Sequence, residues 1–318
     1  MADEELGLVA DIGRVSVRFG LSGGAAGLDP REVRKFNTSD HPTFTSALVT
    51  YLTEVGLRNA SLPSVLAVAG AARGDLINLT GSRWYISLSG VEAVLRVRPR
   101  ALNECAANAL ALTTLPASSF NALKGPSAGI VDAGGNYLVI GIGTGLGAAA
   151  LITSNGRLTP VQSEAGHMAL AARSPEEAKL AAWLKTRGQV PSAEMLLSAQ
   201  GFLNAYAALG DGKAAAAPED VTRNTARDPI AAAAVGLFVE YLGAFVGDLV
   251  LAFGAWDGVF LTGAIARALQ PQLSEPRFRR RMEDKGVFRR QLAEVPVAVV
   301  NRSDLELVGA AAALAAAA

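Results

Sequence analysis

The stretch YLVIGIGTGLGAAALI, residues 137–152, consists of two apolar runs joined by a glycine-rich turn. Short apolar runs bounded by glycines predict two strands joined by a tight hairpin. Gly143, Gly145 and Gly147 would let backbone N–H groups approach phosphate oxygens, and the Thr144 hydroxyl would add a donor. The stretch therefore predicts either a phosphate-binding hairpin or a plain tight hairpin. A dinucleotide-binding motif fits less well, because that motif opens a helix and here a second strand pattern follows.

A similar pattern occurs near the N-terminus. An apolar run at residues 6–10 leads into Asp11 and Gly13, and alternating apolar residues follow at positions 15, 17 and 19. This alternation predicts a second strand–turn–strand unit. Two such units far apart in one chain predict two related halves, each opening with a hairpin, rather than a short-period repeat.

The remaining chain alternates between strand and helix patterns. Strands are predicted at residues 64–69, 259–262 and 295–300, and helices at residues 44–57, 104–112, 175–184, 201–209, 230–253, 265–269 and from 305 onward. This alternation predicts an α/β fold with mixed sheets. Residues 210–228, which contain Asp, Gly, Lys and a run of alanines, are predicted to form a flexible loop.

The composition suits a large folded protein. The chain has 318 residues, which predicts two domains, and half of the residues are hydrophobic. Lys plus Arg and Asp plus Glu both number 29, so the formal net charge is zero. A balanced charge argues against nucleic acid as the main partner. It leaves a phosphorylated small molecule open, because helix N-termini and backbone amides bind phosphate without much net charge.

Two features bear on where the protein works. Cys105 is the single cysteine, so an intrachain disulfide is impossible and a reducing cytoplasm is expected. The longest apolar stretch, residues 230–253, is interrupted by Glu240 and Asp248, both of which would be costly in lipid. We therefore expect a buried helix of a soluble core and no membrane partner.

Three polar groups are candidates for a site. Asp11 follows a strand and suits either a residue near a metal or a capped turn. Asn103 and Glu104 stand where a strand gives way to a helix, which suits a ligand-facing pair or a helix cap with a favourable first-turn acid. Glu164 and His167 suit hydrogen bonds to a polyol. Zinc is not expected, because the chain has two histidines and no cysteine cluster.

Taken in order, these motifs resemble those of the bacterial glucokinase family, within the sugar kinase/actin/Hsp70 superfamily. The family's first phosphate motif reads Asp-Ile-Gly-Gly-Thr-Asn-x-Arg-Phe, and its sugar-side loop reads Thr-Asn-x-x-Trp-x-x-Ser. The matching segments are Asp11-Ile12-Gly13 with Arg18-Phe19, Leu79-Thr80 to Trp84-Tyr85-Ile86-Ser87, Asn103-Glu104 at the family's Asn-Asp, Gly143 to Gly147, Glu164 to His167 at Glu-Gly-Gly-His, Ser192-Ala193-Glu194, Leu261-Thr262-Gly263-Ala264-Ile265 and residues 278–288. The correspondence runs from about Gly7 to about Ala313.

The resemblance implies an α/β protein with the two-domain ribonuclease H-like fold of the actin-like ATPases and hexokinases, with an interdomain cleft. We expect a small domain of residues 1–115 plus 302–318 and a large domain of residues 116–301. Family members resembling this chain are cytoplasmic homodimers that transfer the γ-phosphoryl group of ATP, with Mg²⁺, to the 6-hydroxyl of glucose for glycolysis. The implied partners are therefore ATP, a hexose and a second copy of the chain.

The resemblance also implies a role for each candidate residue. Glu104 would take the proton of the reacting hydroxyl, and Asp11 would orient the hydrated Mg²⁺. The sugar hydroxyls would be held by Asn103, Glu164, His167 and Glu194. The nucleotide and its phosphates would contact Gly13, Gly143, Thr144, Gly145, Gly147 and Gly263. Positioning and electrostatics carry such a transfer, since the protein forms no covalent bond to the phosphoryl group.

Departures from the family pattern lie near the reacting atoms. Arg14, Val15 and Ser16 replace Gly-Thr-Asn, so a long side chain stands where the backbone should approach phosphate and a hydroxyl is lost, although Arg14 could supply a positive charge. Glu104 replaces Asp, and a displacement on the order of 1 Å can cost about a hundredfold in rate. Two hypotheses follow: an ATP-dependent hexose kinase with Glu104 as base, or a catalytically impaired sugar-binding pseudokinase or sensor.

Overall fold

The computed structural model describes residues 6–23, 28–79, 81–126 and 131–316. The chain forms two compact units, one of Met1–Leu115 with Asp304–Ala318 and one of Pro116–Ser303. Each unit is organised around one principal sheet. The division into a small domain of residues 1–115 plus 302–318 and a large domain of residues 116–301 stays a prediction.

A five-stranded sheet forms the first unit. Its strands are β1 (Gly7–Ile12), β2 (Ser16–Ser22), β3 (Arg31–Asn37), β4 (Ser64–Val68) and β7 (Arg100–Asn103). They lie in the order β3-β2-β1-β4-β7, in which β3, β2 and β1 are antiparallel and β1, β4 and β7 are parallel. A separate antiparallel pair consists of β5 (Leu76–Asn78) and β6 (Tyr85–Ser87).

Both faces of this sheet are covered. The helices of the unit are α1 (Phe44–Glu54), α2 (Leu88–Leu95), α3 (Glu104–Ala111) and α12 (Leu305–Ala315). Along β1, Leu8, Ala10 and Ile12 face one hydrophobic cluster that includes α1, while Val9 faces a second cluster that includes α12. Successive side chains of a strand point to opposite faces, so a strand covered on both faces reads as the continuous apolar run seen at residues 6–10.

A six-stranded sheet forms the second unit. Its strands are β8 (Phe120–Ala122), β9 (Tyr137–Ile142), β10 (Leu146–Ser154), β11 (Arg157–Ser163), β12 (Gly258–Thr262) and β13 (Val297–Val300). They lie in the order β11-β10-β9-β12-β13-β8. The predicted hairpin is confirmed: β9 and β10 are antiparallel, with Ile142 opposite Leu146, and β12 lies parallel to β9.

Eight helices in the described part of the second unit pack with this sheet. They are α4 (Pro175–Lys185), α5 (Ala199–Leu209), α6 (Pro218–Arg223), α7 (Pro229–Phe253), α8 (Ala264–Ala268), α9 (Gln270–Leu273), α10 (Pro276–Glu283) and α11 (Arg289–Ala293). By length and composition α7 could cross a membrane, but 72% of its most apolar window is buried inside the protein. Gly243 and Gly247 bring α7 against the backbone of α10, because a Cβ at either position would overlap a carbonyl oxygen of α10. The predicted buried core helix is therefore confirmed.

One sequence prediction is wrong in part. Residues 210–228 are not a continuous loop, because they contain α6, which begins at Pro218. Proline suits the first turn of a helix, and the Asp220 carboxylate accepts a hydrogen bond from the Ala217 N–H at 3.0 Å. Asp228 then caps α7 by accepting the Ile230 N–H at 2.8 Å, and it also accepts the Tyr206 hydroxyl at 2.7 Å. These polar contacts order the segment, and they leave no periodic hydrophobic pattern in the sequence from which α6 could have been predicted.

Candidate active site

The parallel strands of the first unit end together. Ile12 of β1 lies beside Val68 of β4, which lies beside Asn103 of β7. The carboxyl ends of parallel strands therefore form one edge, which is where α/β sheets carry ligands. Four predicted site residues come together at this edge although they are far apart in sequence, namely Asp11, Gly13, Asn103 and Glu104.

Asn103 is buried and fixes the start of α3. Its Oδ1 accepts the Cys105 N–H at 2.8 Å, and its Nδ2 donates to the Gly70 carbonyl oxygen at 3.2 Å. The helix-cap interpretation is therefore observed. Because an amide has two N–H donors, this arrangement leaves one of them for a ligand. Glu104, half-buried, is the first residue of α3, where the helix dipole favours a carboxylate.

Asp11 is held by a charged network. It lies directly opposite Arg18 in the β1–β2 ladder, and Arg18 Nε donates to Asp11 Oδ2 at 2.8 Å. Arg18 Nη2 also donates to Glu306 Oε2 on α12 at 3.0 Å, and Glu306 Oε1 accepts the Asn108 amide at 3.1 Å. The network therefore connects the strand bearing Asp11 to α12 and to α3, the helix that begins with Glu104.

The Asp11 carboxylate suits a cation. Burial and, to a smaller extent, the negative charge of Glu306 raise the pKa of Asp11 to about 6, although Arg18 and Lys35 act in the opposite direction. The nearby cations therefore do not fully offset the cost of the charged form, and an additional cation beside this carboxylate would be favourable. Carboxylate oxygen is also the donor type that Mg²⁺ prefers. Across the described ranges, no group of three or more His, Cys, Asp or Glu could hold a metal alone.

The turn between β1 and β2 accepts Arg14 without backbone strain. Gly13 N–H donates to the Ser16 carbonyl oxygen at 3.0 Å, and Arg14 is not among the described residues with positive φ. The Arg14 side chain lies against Gly81, since a Cβ at Gly81 would come within 2.8 Å of Arg14 Cδ. Val15 is exposed. Thr80, beside Gly81, lies outside the described residues.

In the second unit the glycine turn is held from two sides. Within the turn, Gly143 N–H donates to the Gly145 carbonyl oxygen at 3.0 Å, and Thr144 is exposed at its tip. The Gly143 carbonyl oxygen accepts the N–H of Ala199, the first residue of α5, at 2.9 Å. Gly263, after β12, has φ +96° and approaches Ile142 so closely that a Cβ would overlap the Ile142 carbonyl oxygen. Beyond the turn, Gly147 pairs with Gly141 in the ladder.

Leu146 joins the predicted sugar residues to this turn. Its N–H donates to Glu194 Oε2 at 2.8 Å, and its carbonyl oxygen lies where a Cβ of Gly166 would be. Gly166 lies in the short 3₁₀ helix Ala165–His167, and Glu194 lies in another, Ala193–Met195. The structure thus brings three predicted sugar residues beside the glycine turn, namely Glu164, His167 and Glu194.

The side chains of Glu164 and His167 are exposed. The structure assigns them no hydrogen bond to any other described side chain or backbone group. Two short 3₁₀ segments hold their backbone in place, since Ala193 N–H donates to the Met168 carbonyl oxygen at 2.9 Å. A fixed backbone with unengaged polar side chains suits hydrogen bonding to a ligand.

Sequence reasoning missed Glu306 and Asn108. One signal was available, because Glu306 is the single charged residue of an alanine-rich helix. A lone acid in such a helix calls for a partner, since buried charges are rarely left unpaired. Its partners Arg18 and Asn108 lie far away in sequence, and pattern alone does not identify them.

Solved structures share this fold. A glucokinase from an Antarctic psychrotroph matches with a TM-score of 0.83 at 30% identity, covering 98% of this chain and 99% of that one. A glucokinase from Balamuthia mandrillaris, in complex with glucose, matches with a TM-score of 0.82 at 19% identity, covering 97% and 93% of the two chains. The two units thus have the actin-like ATPase fold, and the class of protein that they define is a sugar kinase.

The chain belongs to the glucokinase family. The family model described as Glucokinase matches residues 8–317. A relative named Glucokinase, from Xanthomonas euvesicatoria pv. vesicatoria strain 85-10, is 36% identical over 316 residues, covering 96% of this chain and 93% of the relative. The resemblance seen in the sequence is confirmed, and the protein is a glucokinase-like phosphotransferase.

Proposed function

We propose that the protein transfers the γ-phosphoryl group of ATP to the 6-hydroxyl of glucose and forms glucose 6-phosphate. Membership of the glucokinase family supports this reaction. The observation that carries it is the shared carboxyl edge of the parallel strands β1, β4 and β7, where Asp11 lies at the end of β1 and Glu104 follows β7, with β4 between these two strands.

Glu104 is proposed as the base that accepts the proton of the sugar hydroxyl. The Asn103 cap fixes the backbone at the start of α3, where Glu104 is the first residue, and the helix dipole favours the ionised form of a carboxylate at this position. Asn103 is proposed to contribute its remaining amide N–H to a sugar hydroxyl. The structure supports both roles through position, since both residues stand at the carboxyl edge of the sheet.

Asp11 is proposed to hold Mg²⁺ through water. The cost of its buried charge, which its neighbours do not fully offset, favours this role. Bound Mg²⁺ would neutralise charge on the ATP phosphates during transfer. Arg18, on the opposite strand, holds the Asp11 carboxylate in place by an ion pair. Gly13, in the turn that follows β1, is proposed to let the backbone approach phosphate.

In the second unit the glycine turn is proposed to bind phosphate. Gly143, Gly145 and Gly147 add no side chain of their own to the turn, and Thr144 adds one exposed hydroxyl. Gly263, packed against the start of the turn, is proposed to contact the nucleotide. Sugar hydroxyls are proposed to bind Glu164, His167 and Glu194, which lie beside the turn.

We also propose a cytoplasmic homodimer that serves glycolysis and has neither nucleic acid nor membrane as partner. Zero net charge, the single buried cysteine and the burial of α7 support the cellular setting. The homodimer rests on the family resemblance. Nothing in the structure favours a pseudokinase over a kinase, because Arg14 fits its turn without positive φ and a carboxylate is present at residues 11 and 104.

The role of Glu104 is tested by Glu104→Gln. The amide keeps the shape of the side chain but accepts no proton, so turnover should fall at least about a hundredfold while the glucose dissociation constant changes less than about twofold. Glu104→Asp, which restores the family's residue and keeps a carboxylate that accepts the proton, is the matched control, and its turnover should exceed that of Glu104→Gln. Unchanged turnover in Glu104→Gln would remove this residue from the mechanism.

A further inference from the structure

Glu194 makes a hydrogen bond that sugar binding does not explain. Its Oε2 accepts the N–H of Leu146, the first residue of β10, at 2.8 Å. This bond attaches the carboxylate to the end of the glycine turn. Among the described residues Oε1 has no hydrogen-bond partner, and the side chain is half-buried.

The carboxylate also explains one of the glycines. A Cβ at Gly145 would come within 2.8 Å of Glu194 Oε2, whereas a Cβ at Gly143 would have no atom within 4 Å. Neither glycine has positive φ, so the backbone conformation itself does not demand glycine at either position. Gly145 is therefore small because Glu194 occupies the adjacent space.

The backbone around Glu194 is fixed to the same turn. Ser198 Oγ donates to the Glu194 carbonyl oxygen at 2.8 Å and caps α5 by accepting the Gly201 N–H at 3.1 Å. The next residue, Ala199, donates to the Gly143 carbonyl oxygen at 2.9 Å. The segment that carries Glu194 therefore holds the turn at both of its ends, Gly143 and Leu146.

We propose that Glu194 is a positioning residue for the phosphate-binding turn as well as a sugar contact, with Oε2 fixing the turn and Oε1 facing the sugar. This inference rests on the proposed function of the turn and of Glu194. One carboxylate shared by two ligand sites couples them, and such coupling is reciprocal: each ligand changes the affinity for the other by the same factor.

The first test measures nucleotide affinity without sugar, by calorimetric titration with Mg²⁺ and the non-hydrolysable ATP analogue AMPPNP. Glu194→Ala leaves the Leu146 N–H without its acceptor, so affinity should fall about five- to tenfold. Glu194→Gln keeps an oxygen that accepts this N–H, and its nucleotide affinity should stay within about twofold of the parent. Glucose affinity should fall in both variants, because both lose the charge.

The second test measures glucose affinity without nucleotide. Gly145→Ala pushes the carboxylate away from its position, so glucose affinity should fall about tenfold although Gly145 is not a proposed sugar contact. Gly143→Ala is the matched control, because it adds the same methyl group to the same turn with no atom within 4 Å. Its glucose affinity should stay within about twofold of the parent.

Two results would overturn the inference: AMPPNP affinity of Glu194→Ala equal to that of the parent, or equal glucose affinity of Gly145→Ala and Gly143→Ala. If the parent binds neither ligand, the proposed function fails, and hydrogen exchange of the Leu146 amide decides the inference separately. Faster exchange in Glu194→Ala than in Glu194→Gln supports the positioning role, and equal exchange contradicts it.

Discussion

The side chain of Arg14 lies on the backbone of Gly81, with Arg14 Cδ within 2.8 Å of the position that a Cβ at residue 81 would take. The family pattern has glycine at the position of Arg14 and asparagine at the position of Gly81. In this chain the larger residue therefore stands at position 14 and the smaller one at position 81, and the two are in contact. The φ of +70° at Gly81 suits glycine or asparagine. The two departures therefore compensate each other in volume.

This contact predicts non-additive stability. Gly81→Asn alone places its side chain against Arg14 and should lower the free energy of unfolding by about 1 kcal/mol. Arg14→Gly alone should have a small effect, and the double variant should recover most of the loss, with a coupling of about 0.5–1.5 kcal/mol. Urea unfolding of the parent, the two single variants and the double variant measures this coupling free energy. Additive effects of the two substitutions would refute the compensation.

A second prediction concerns pH. Because burial raises the pKa of Asp11 from 3.8 to about 6, the folded state holds this proton more tightly than the unfolded state. Stability from this group is therefore lost as the pH rises from about 4 to about 6. The free energy of unfolding of Asp11→Asn should rise by about 2–3 kcal/mol relative to that of the parent between pH 4 and pH 6. Above pH 6 this difference between the two proteins should stay constant.

Urea unfolding of both proteins between pH 4 and pH 8 checks this prediction, and turnover of Asp11→Asn should be low throughout. A stability difference that does not change with pH would contradict the assigned cost of the buried charge. A stabilised and inactive variant would show that this carboxylate is kept for its chemistry.

Close approach at Gly263 gives a third prediction. Gly263→Ala should lower the free energy of unfolding by more than about 2 kcal/mol, because its φ is positive and the added Cβ would overlap a backbone oxygen that cannot move aside. Gly258→Ala, at the start of β12, the strand that ends just before Gly263, adds a methyl group at ordinary contact distance and should cost less than about 1 kcal/mol. Similar losses in the two variants would disprove the packing argument.

Removal of the metal gives a fourth prediction. Chelation with EDTA should abolish formation of glucose 6-phosphate, and excess Mg²⁺ should restore it, since a single carboxylate holds the ion only together with the ATP phosphates. Glucose affinity without nucleotide should not change. Turnover that persists in EDTA would argue against a metal at Asp11.

The sequence predicted most elements of the second unit and the core strands of the first, because their apolar runs have a clear period. It missed β3, β8 and β11, which lie at sheet edges and bury few side chains. Edge strands keep polar residues on both faces, so the hydrophobic pattern that identifies a strand is weak there. The helix α6 was missed for a related reason, since Pro218 and its acidic neighbours order it more than apolar spacing does.

At the candidate site the sequence indicated candidate residues through motifs but not their contacts, and the roles of these residues stay predictions. Asp11 and Glu104 could be named as candidates, because each lies at or just after the end of a strand and matches a motif. The contact of Glu194 with the turn was not predictable, since it is made by the backbone N–H of Leu146. Every residue except proline has such a group, so the identity of residue 146 does not indicate the contact. Contacts between distant backbone and side-chain groups depend on packing, which a single sequence does not show.

We expect this chain, with arginine at residue 14 and glutamate at residue 104, to transfer phosphoryl groups. The most direct measurement is a coupled assay of glucose 6-phosphate formation by the purified protein with Mg²⁺-ATP and glucose, beside a titration of each ligand. We predict binding of both ligands and sustained turnover at an ordinary kinase rate. Glucose binding without turnover, on this sugar and on other hexoses and phosphoryl donors, would contradict the account.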